Sequence, residues 1–232
     1  MSVAGSGKSI LWSVVDLQLF LYKNTEFFSS STIIQDIEAV CKSGQASIGY
    51  FYFDFRDANK QNLRDLVPSL LTQLSARSVS RRGILSRLYK DHDNGERQPS
   101  DDLLTQCLKS MLTLSDKHPI YLIIDAVDEC PNSSGIPSPR KRVLQLIMEL
   151  VELRLPNVHV CVTSRPEVDI REVLEPLTSR RVCLHDQTGQ KEDIANYIRS
   201  VVYSDSEPIM KRWRTEDKEL VIETLSERAD GM

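Results

Sequence analysis

The stretch IYLIIDAVDEC, Ile120 to Cys130, decides the fold class of this chain. It opens with apolar residues that end at an aspartate, Asp125, and Asp128 and Glu129 follow within one turn. A short apolar run of this kind is typical of a strand buried on both faces of a parallel sheet. Ligands of open α/β sheets bind beyond the carboxyl ends of the strands. We therefore expect a mainly parallel sheet with a ligand site next to Asp125.

Apolar runs and helical patterns alternate along the rest of the chain. Three further strand candidates are SIGYFYFDF, NVHVCVTS and RRVCLH, at residues 47–55, 157–164 and 180–185. Helical spacing of apolar residues covers 31–44, 63–74, 102–114, 140–154, 170–175, 191–202 and 216–231. Pro68 is expected to kink or restart the second of these helices. Strands that alternate with helices predict a doubly wound α/β sheet.

The N-terminal segment AGSGKS, residues 4–9, has the composition and order of a Walker A loop. Gly5 and Gly7 let the backbone curl, so that successive N–H groups point at phosphate oxygens. Lys8 reaches the β- and γ-phosphates, and the Ser9 hydroxyl ligates Mg²⁺. The segment therefore predicts a site for a nucleoside triphosphate and its metal ion.

A helix is expected to begin directly after the loop and to add its N-terminal dipole to the phosphate site. The residues expected to contact the nucleotide are Ala4, Gly5, Ser6, Gly7, Lys8, Ser9 and Ile10. Ser2 takes the place of the first glycine of the full pattern, and no apolar strand precedes the loop. We therefore expect the first strand of the sheet to be missing from this chain.

Carboxylates and one arginine complete the candidate site. Asp125 ends its strand where P-loop NTPases hold the water shell of Mg²⁺, so Ser9 and Asp125 are the expected metal ligands. Asp128 or Glu129 can orient or deprotonate the attacking water. In VCVTSRPE, Arg165 follows a strand and can place its guanidinium near the γ-phosphate. The plainer interpretation of Arg165 is an exposed arginine before a proline turn.

Composition and charge exclude several classes of protein. The chain has 232 residues and a formal net charge of -4, and its lysines and arginines are scattered, so nucleic acid is not an expected partner. Five cysteines without a C-x-x-C pair argue against a disulfide framework or a zinc site and suit a reducing cytoplasm. The apolar run at 10–22 is interrupted by Asp16 and Gln18 and is too short to cross a bilayer.

Several blocks, in their order along the chain, resemble a known family. AGSGKS, GYFYFDFRD, YLIIDAVDECP, VTSRPE, and DIANYI followed by LSERADGM are similar to blocks of the NACHT domains of STAND-class P-loop NTPases. The resemblance is strongest to fungal NLR-like proteins and to the nephrocystin-like N-terminal NTPase module. It implies a P-loop NTPase three-layer sandwich that binds ATP, or GTP, with Mg²⁺.

The same resemblance implies roles for single residues. Asp125 would coordinate Mg²⁺, Asp128 and Glu129 would share the activation of water, and Arg165 would sense the γ-phosphate. It also implies self-association, and effector and repeat domains in the full-length protein. We expect residues 1–232 to be one cytoplasmic domain of this type, cut at both ends.

Residues 12–30 have no counterpart that we recognise in the family. Joining Leu11 directly to Ser31 would give a continuous helix of the expected kind, so this segment is predicted to be a local insertion or an unspliced intron.

Two functions remain open at this level. One is a slow NTPase that acts as a regulatory switch in NLR-like signalling. The other is a non-hydrolysing interaction module that uses the nucleotide to hold one conformation. GTP specificity of the N-K-x-D type is disfavoured, because the similar string NKQN, at 59–62, precedes the acidic strand and lacks the acid.

Overall fold

The structure, a computed structural model, describes residues 10–14, 30–76, 78–114, 118–132, 135–183, 190–203 and 213–228. The chain divides into two compact units. One unit spans Ile10–Val182, and the other contains the last two helices.

Strands and helices alternate as the sequence predicts. The strands are β1 (Ile10–Val14), β2 (Ser47–Tyr52), β3 (Ile120–Asp125), β4 (Val158–Ser164) and β5 (Arg180–Cys183). The helices are α1 (Ser30–Lys42), α2 (Leu63–Ala76), α3 (Val79–Asp91), α4 (Asp101–Leu112), α5 (Pro139–Glu152), α6 (Val168–Leu174), α7 (Gln190–Val202) and α8 (Thr215–Arg228). Strands β2 to β5 each lie in a segment that was predicted as a strand, whereas α3 was not predicted.

The sheet has the strand order β2-β3-β4-β1-β5. Strands β2, β3 and β4 are parallel, with Tyr52 opposite Asp125 and Ile124 opposite Val162. Parallel strands direct their carboxyl ends to the same edge, so the last residues of β2, β3 and β4 lie side by side. This parallel core confirms the mixed α/β sandwich that the sequence predicts.

Strand β1 differs from the prediction. A helix was expected to start at Ile10, but Ile10–Val14 is a strand that runs antiparallel to β4. Ile10 lies opposite Ser164, so β1 begins at the edge where β4 ends. Trp12 of the predicted insertion lies opposite Val162, while residues 15–29 lie outside the described residues. The insertion itself stays a prediction.

Helices cover both faces of the parallel strands. Ile48 and Tyr50 of β2 pack against a cluster that contains the buried residues of α1. Gly49 lies between them and faces the opposite side of the sheet. A Cβ atom added at Gly49 would lie 3.1 Å from Leu70 of α2. Because successive residues of a strand point to opposite faces, α1 and α2 cover opposite sides of the sheet.

Helix α2 bears on the expectation for Pro68, and of its two alternatives the restart does not occur. It runs from Leu63 to Ala76 without a break, and Pro68 lies inside it. One apolar face of the helix is buried, with Leu66, Val67, Leu70, Leu71 and Leu74. Burial of this whole face outweighs the hydrogen bond that Pro68 cannot donate.

The second unit is described through α7 and α8. The Tyr203 hydroxyl donates to the Glu219 carboxylate at 2.9 Å, and the Lys218 ammonium lies 4.8 Å from the centre of the Tyr203 ring. Val202 and Ile222 are each 3% exposed. Among the described helices of the chain, none combines the length and the apolar character needed to cross a membrane.

The first testable prediction concerns Leu70, which is completely buried above Gly49. Leu70→Ala should lower the free energy of unfolding by about 2 to 5 kcal/mol, because it removes buried methyl groups and leaves a cavity. The matched control is Val79→Ala, since Val79 is 82% exposed. The control should change the free energy by less than about 0.5 kcal/mol. Urea unfolding measures both, and equal losses would contradict the packing of α2 on β2.

Candidate functional site

The carboxyl ends of β3 and β4 bring together residues that are far apart in the chain. The Thr163 hydroxyl donates a hydrogen bond to Oδ1 of Asp125 at 2.5 Å. The hydroxyl oxygen of Thr163 also accepts a hydrogen bond from the backbone N–H of Ala126 at 2.9 Å. Thr163 is itself buried, with 4% exposure. One hydroxyl therefore orients the Asp125 carboxylate and fixes the start of the turn that follows it.

That turn begins with a residue in an unusual backbone conformation. Ala126 has φ 56° and ψ 48°, which is the left-handed region. For a residue with a Cβ atom, this conformation costs about 1 to 2 kcal/mol. The turn Val127–Glu129 follows directly and carries both of the further candidate acids. A strained backbone conformation of this kind persists where the surrounding contacts hold it in place, and such places are often functional sites.

Asp128 points toward the segment that follows β4. Its side chain is only 8% exposed. Oδ1 accepts a hydrogen bond from the backbone N–H of Arg165 at 3.0 Å, and Oδ2 lies 3.3 Å from Nε of Arg165. Predicted site residues from two strands therefore contact each other. The Arg165 side chain keeps 44% of its surface exposed.

Glu129 points toward a different segment, the loop after β2. Its Oε2 accepts a hydrogen bond from the backbone N–H of Phe55 at 3.3 Å. Arg56 follows Phe55, and the negative charge of Glu129 contributes to the raised pKa of Arg56, after the larger effect of Asp54. The hydrogen bonds from Arg56 in turn lower the pKa of Asp54 to about 2. The two neighbouring carboxylates, Asp128 and Glu129, thus have separate surroundings.

The sequence analysis missed one residue that contacts this region. Arg140, in the first turn of α5, is 6% exposed. Its guanidinium donates to the backbone oxygen of Asp128 at 2.6 Å and to that of Cys130 at 2.9 Å. The signal in the sequence is an arginine directly after Pro139 at the start of a helix, where a positive charge is unfavourable to the helix dipole.

Burial disfavours the reactive thiolate form of two cysteines near the site. Burial raises the pKa of the Cys130 thiol to about 12, and the Sγ atom donates to the backbone oxygen of Gln61 at 3.1 Å. Burial also raises the pKa of Cys161 to about 12, and the charge of Asp125 adds to this effect. Because only the thiolate is reactive, the chemistry of this edge belongs to its carboxylates and guanidinium groups.

The Walker A residues Ala4, Gly5, Ser6, Gly7, Lys8 and Ser9 lie outside the described residues. Ile10 is placed, as the first residue of β1. Of the two expected metal ligands, Ser9 is therefore not described and Asp125 ends β3. Within the part of the chain that the structure describes, no group of three or more His, Cys, Asp or Glu side chains could hold a metal ion.

A cleft of about 720 Å³ lies away from these residues, at the first turns of α2 and α4 and along α5. Its lining includes Arg64, Asp101 and Arg142, and none of the predicted site residues. Both arginines contact the Asp101 carboxylate, Arg64 at 2.6 Å and Arg142 at 3.3 Å. These contacts join three helices.

The second testable prediction concerns the strained turn. Ala126→Gly should raise the free energy of unfolding by up to about 1 kcal/mol, because glycine has no Cβ atom and adopts a positive φ without penalty. The control is Ala39→Gly, in the exposed interior of α1, which should lower it by about 1 kcal/mol. Chemical denaturation measures both variants. Loss of stability in both would contradict the left-handed conformation of Ala126.

The family model described as "Nephrocystin 3, N-terminal" matches residues 2–165. This range contains every candidate site residue, from Ala4 to Arg165. No curated protein matches the chain. The match covers more than half of the 232 residues, and the chain belongs to the nephrocystin 3 N-terminal family.

Proposed function

We propose that this chain is a P-loop nucleotide-binding module of NACHT type, which binds ATP with Mg²⁺ and hydrolyses it slowly. Its role would be that of a regulatory switch in NLR-like signalling, in the cytoplasm, within a longer protein that carries effector and repeat domains and self-associates. The observation that carries the proposal is the meeting of Asp125, Asp128, Glu129 and Arg165 at one edge of the parallel sheet.

The position of β1 supports a phosphate site at this edge. Ile10 lies opposite Ser164, the last residue of β4. In the sequence, the residue before Ile10 is Ser9, which ends the candidate Walker loop. Strand β1 is therefore entered from the edge of the sheet where Asp125 and Arg165 lie.

The residues at this edge fit a bound Mg²⁺. Oδ1 of Asp125 takes the hydrogen bond from Thr163, and among the described residues Oδ2 has no hydrogen-bond partner. Mg²⁺ in NTPases is commonly held by one or two protein ligands together with phosphate oxygens and water, so a cluster of acidic side chains is not needed. Asp125 and Ser9 would hold the ion, which would neutralise charge on the phosphates.

The two neighbouring acids, Asp128 and Glu129, make different contacts, and we assign different roles to them. The Asp128 side chain is only 8% exposed and contacts Arg165 through both carboxylate oxygens. Glu129 has one long hydrogen bond, 3.3 Å, to a backbone N–H. A general base must be accessible to water and within hydrogen-bond reach of it. We therefore assign the orientation of water to Glu129 and the placement of Arg165 to Asp128.

Arg165 would exchange partners when it senses a phosphate. In the structure, its Nε lies 3.3 Å from Oδ2 of Asp128, while its side chain remains 44% exposed. A γ-phosphate offers a guanidinium a stronger, charge-assisted set of hydrogen bonds. Sensing would then mean that Arg165 divides its contacts between a protein carboxylate and the nucleotide, which is a two-state arrangement.

The second candidate is a module that binds the nucleotide and does not hydrolyse it. The weak hydrogen bond between Glu129 and Phe55 is the relevant observation, because a carboxylate that stays on the β2 loop cannot orient water. Measurement of phosphate release separates the two functions.

The third testable prediction separates binding from chemistry. Lys8→Ala should weaken ATP binding by about 2 kcal/mol or more, the scale of a charged hydrogen bond left unmade. Glu129→Gln should keep the ATP affinity and lose hydrolysis, because Glu129 acts on water in the transition state. Lys90→Ala and Glu172→Gln, at exposed positions, are the controls. Calorimetric titration and phosphate release measure the two effects. Unchanged turnover in Glu129→Gln would contradict its role.

The fourth testable prediction concerns Arg165. Arg165→Ala should weaken the binding of ATP more than that of ADP, because only ATP presents a γ-phosphate. Arg171→Ala is the matched control, since Arg171 is similarly exposed and its ion-pair partner is Glu175, on the same segment. Titration of both variants with both nucleotides tests the sensor. Equal losses for ATP and ADP in Arg165→Ala would remove this role.

A further inference from the structure

Arg140 joins the two loops that carry the candidate acids and Arg165. Its Nη2 and Nε donate to the backbone oxygens of Asp128 and Cys130, in the loop after β3. Its Nη1 donates to the carboxylate of Glu167 and lies 3.4 Å from both carboxylate oxygens of Asp169, in the segment after β4. One guanidinium thus binds two separate segments of the chain at the same edge of the sheet.

A second chain of hydrogen bonds connects the same segments. Asn132 donates from Nδ2 to Oδ2 of Asp169 at 2.9 Å. Its Oδ1 accepts from the Ser138 hydroxyl at 2.8 Å. Ser138 is the N-cap of α5, where its hydroxyl also accepts from the backbone N–H of Lys141 at 3.3 Å. The start of α5 is therefore built around the segment that follows β4.

Local helix preference does not explain an arginine at position 140. A positive charge in the first turn of a helix is unfavourable to the helix dipole. Burial of a guanidinium adds a desolvation penalty, and the Arg140 side chain is only 7% exposed. Two carboxylates, of Glu167 and Asp169, compensate for its charge. Tertiary contacts, and not the helix, therefore account for the residue.

The shape of the arginine side chain matches this task. Its donors point in several directions within one plane, and the contacts of Arg140 use Nε, Nη1 and Nη2. A lysine carries the same charge, but it offers a single ammonium that cannot reach both loops with a fixed geometry. Arg140→Lys therefore removes the bridge and keeps the charge.

We propose that Arg140 is the positioning residue of the candidate site. It holds the Asp128–Cys130 turn and the Glu167–Asp169 segment in one relative position, so that Glu129 and Arg165 face the same nucleotide. Arg140 acts through the two protein segments that it binds. The consequence for turnover rests on the proposed function, whereas the coupling of the two loops does not.

The first experiment, which is also the fifth prediction, needs no nucleotide. Amide hydrogen exchange is compared in the wild type, Arg140→Lys and the control Arg142→Lys, which lies on the same helix with its side chain 48% exposed. Arg140→Lys should speed exchange about tenfold in both loops, 126–130 and 165–169, because their common anchor is lost. Arg142→Lys should change neither loop. Faster exchange in only one loop, or in neither, would overturn the proposal.

A second variant tests the bridge if Arg140→Lys does not fold. Glu167→Gln combined with Asp169→Asn removes the acidic partners, whose side chains are 44% and 38% exposed, and nearly keeps their size. Arg140 then loses its anchor after β4, and exchange should rise in 126–130 as well as in 165–169. A rise confined to 165–169 would overturn the proposal.

Turnover supplies a readout that a purely structural role would not move. Arg140→Lys should lower kcat by about 100-fold, the effect of a small misplacement of reacting groups. Because Arg165 is also released, the variant should weaken the binding of ATP more than that of ADP. An unchanged kcat with loosened loops would overturn the positioning role. A wild-type chain without turnover would contradict the proposed hydrolysis, and the exchange experiment would then decide the inference on Arg140 alone.

Discussion

The parallel pairing of β3 with both β2 and β4 determines where the candidate functional groups lie. The pairing aligns the three carboxyl ends at one edge, so residues that follow separate strands become neighbours. Asp125 then lies within hydrogen-bond distance of Thr163. In the turn that follows Asp125, Asp128 accepts a hydrogen bond from Arg165. A shift in the register of β4 against β3 would break these contacts together.

Several residues at this edge are unfavourable when each is considered by its local structure alone. Ala126 has a left-handed backbone, Asp128 is a nearly buried carboxylate, and Arg140 is a cation at the start of a helix. Each is stabilised by contacts with another segment: Thr163 binds the backbone of Ala126, and Arg140 binds the backbone of Asp128. Local conflicts that tertiary contacts resolve are expected at functional sites more than elsewhere.

The contacts also make the proposed switch specific. Arg165 is the predicted site residue that is both exposed and bound to a buried acid, so it has a protein partner to exchange for a phosphate. Arg140 donates a hydrogen bond to the backbone oxygen of Asp128 and so keeps Asp128, the partner of Arg165, in place. Under the proposed function, an acid that is held in place and an exposed arginine would form an element with two arrangements, one with Arg165 on Asp128 and one with Arg165 on the phosphate.

Patterns in the sequence predicted strands β2 to β5, most of the helices and the acidic end of β3. Buried residues recur with a period of 2 in a strand and of 3.6 in a helix, and this period can be recognised in the sequence. Asp125 can be recognised because it ends an apolar run. The same patterns did not predict α3, the strand at Ile10 or the unbroken α2 around Pro68, because packing and strand pairing overrode local preference there. Only the tertiary structure decided that Asp128 binds Arg165 and that Arg140 bridges two loops. Contacts between distant segments do not produce a periodic pattern in the sequence. The folded structure is therefore needed to show which side chains contact each other.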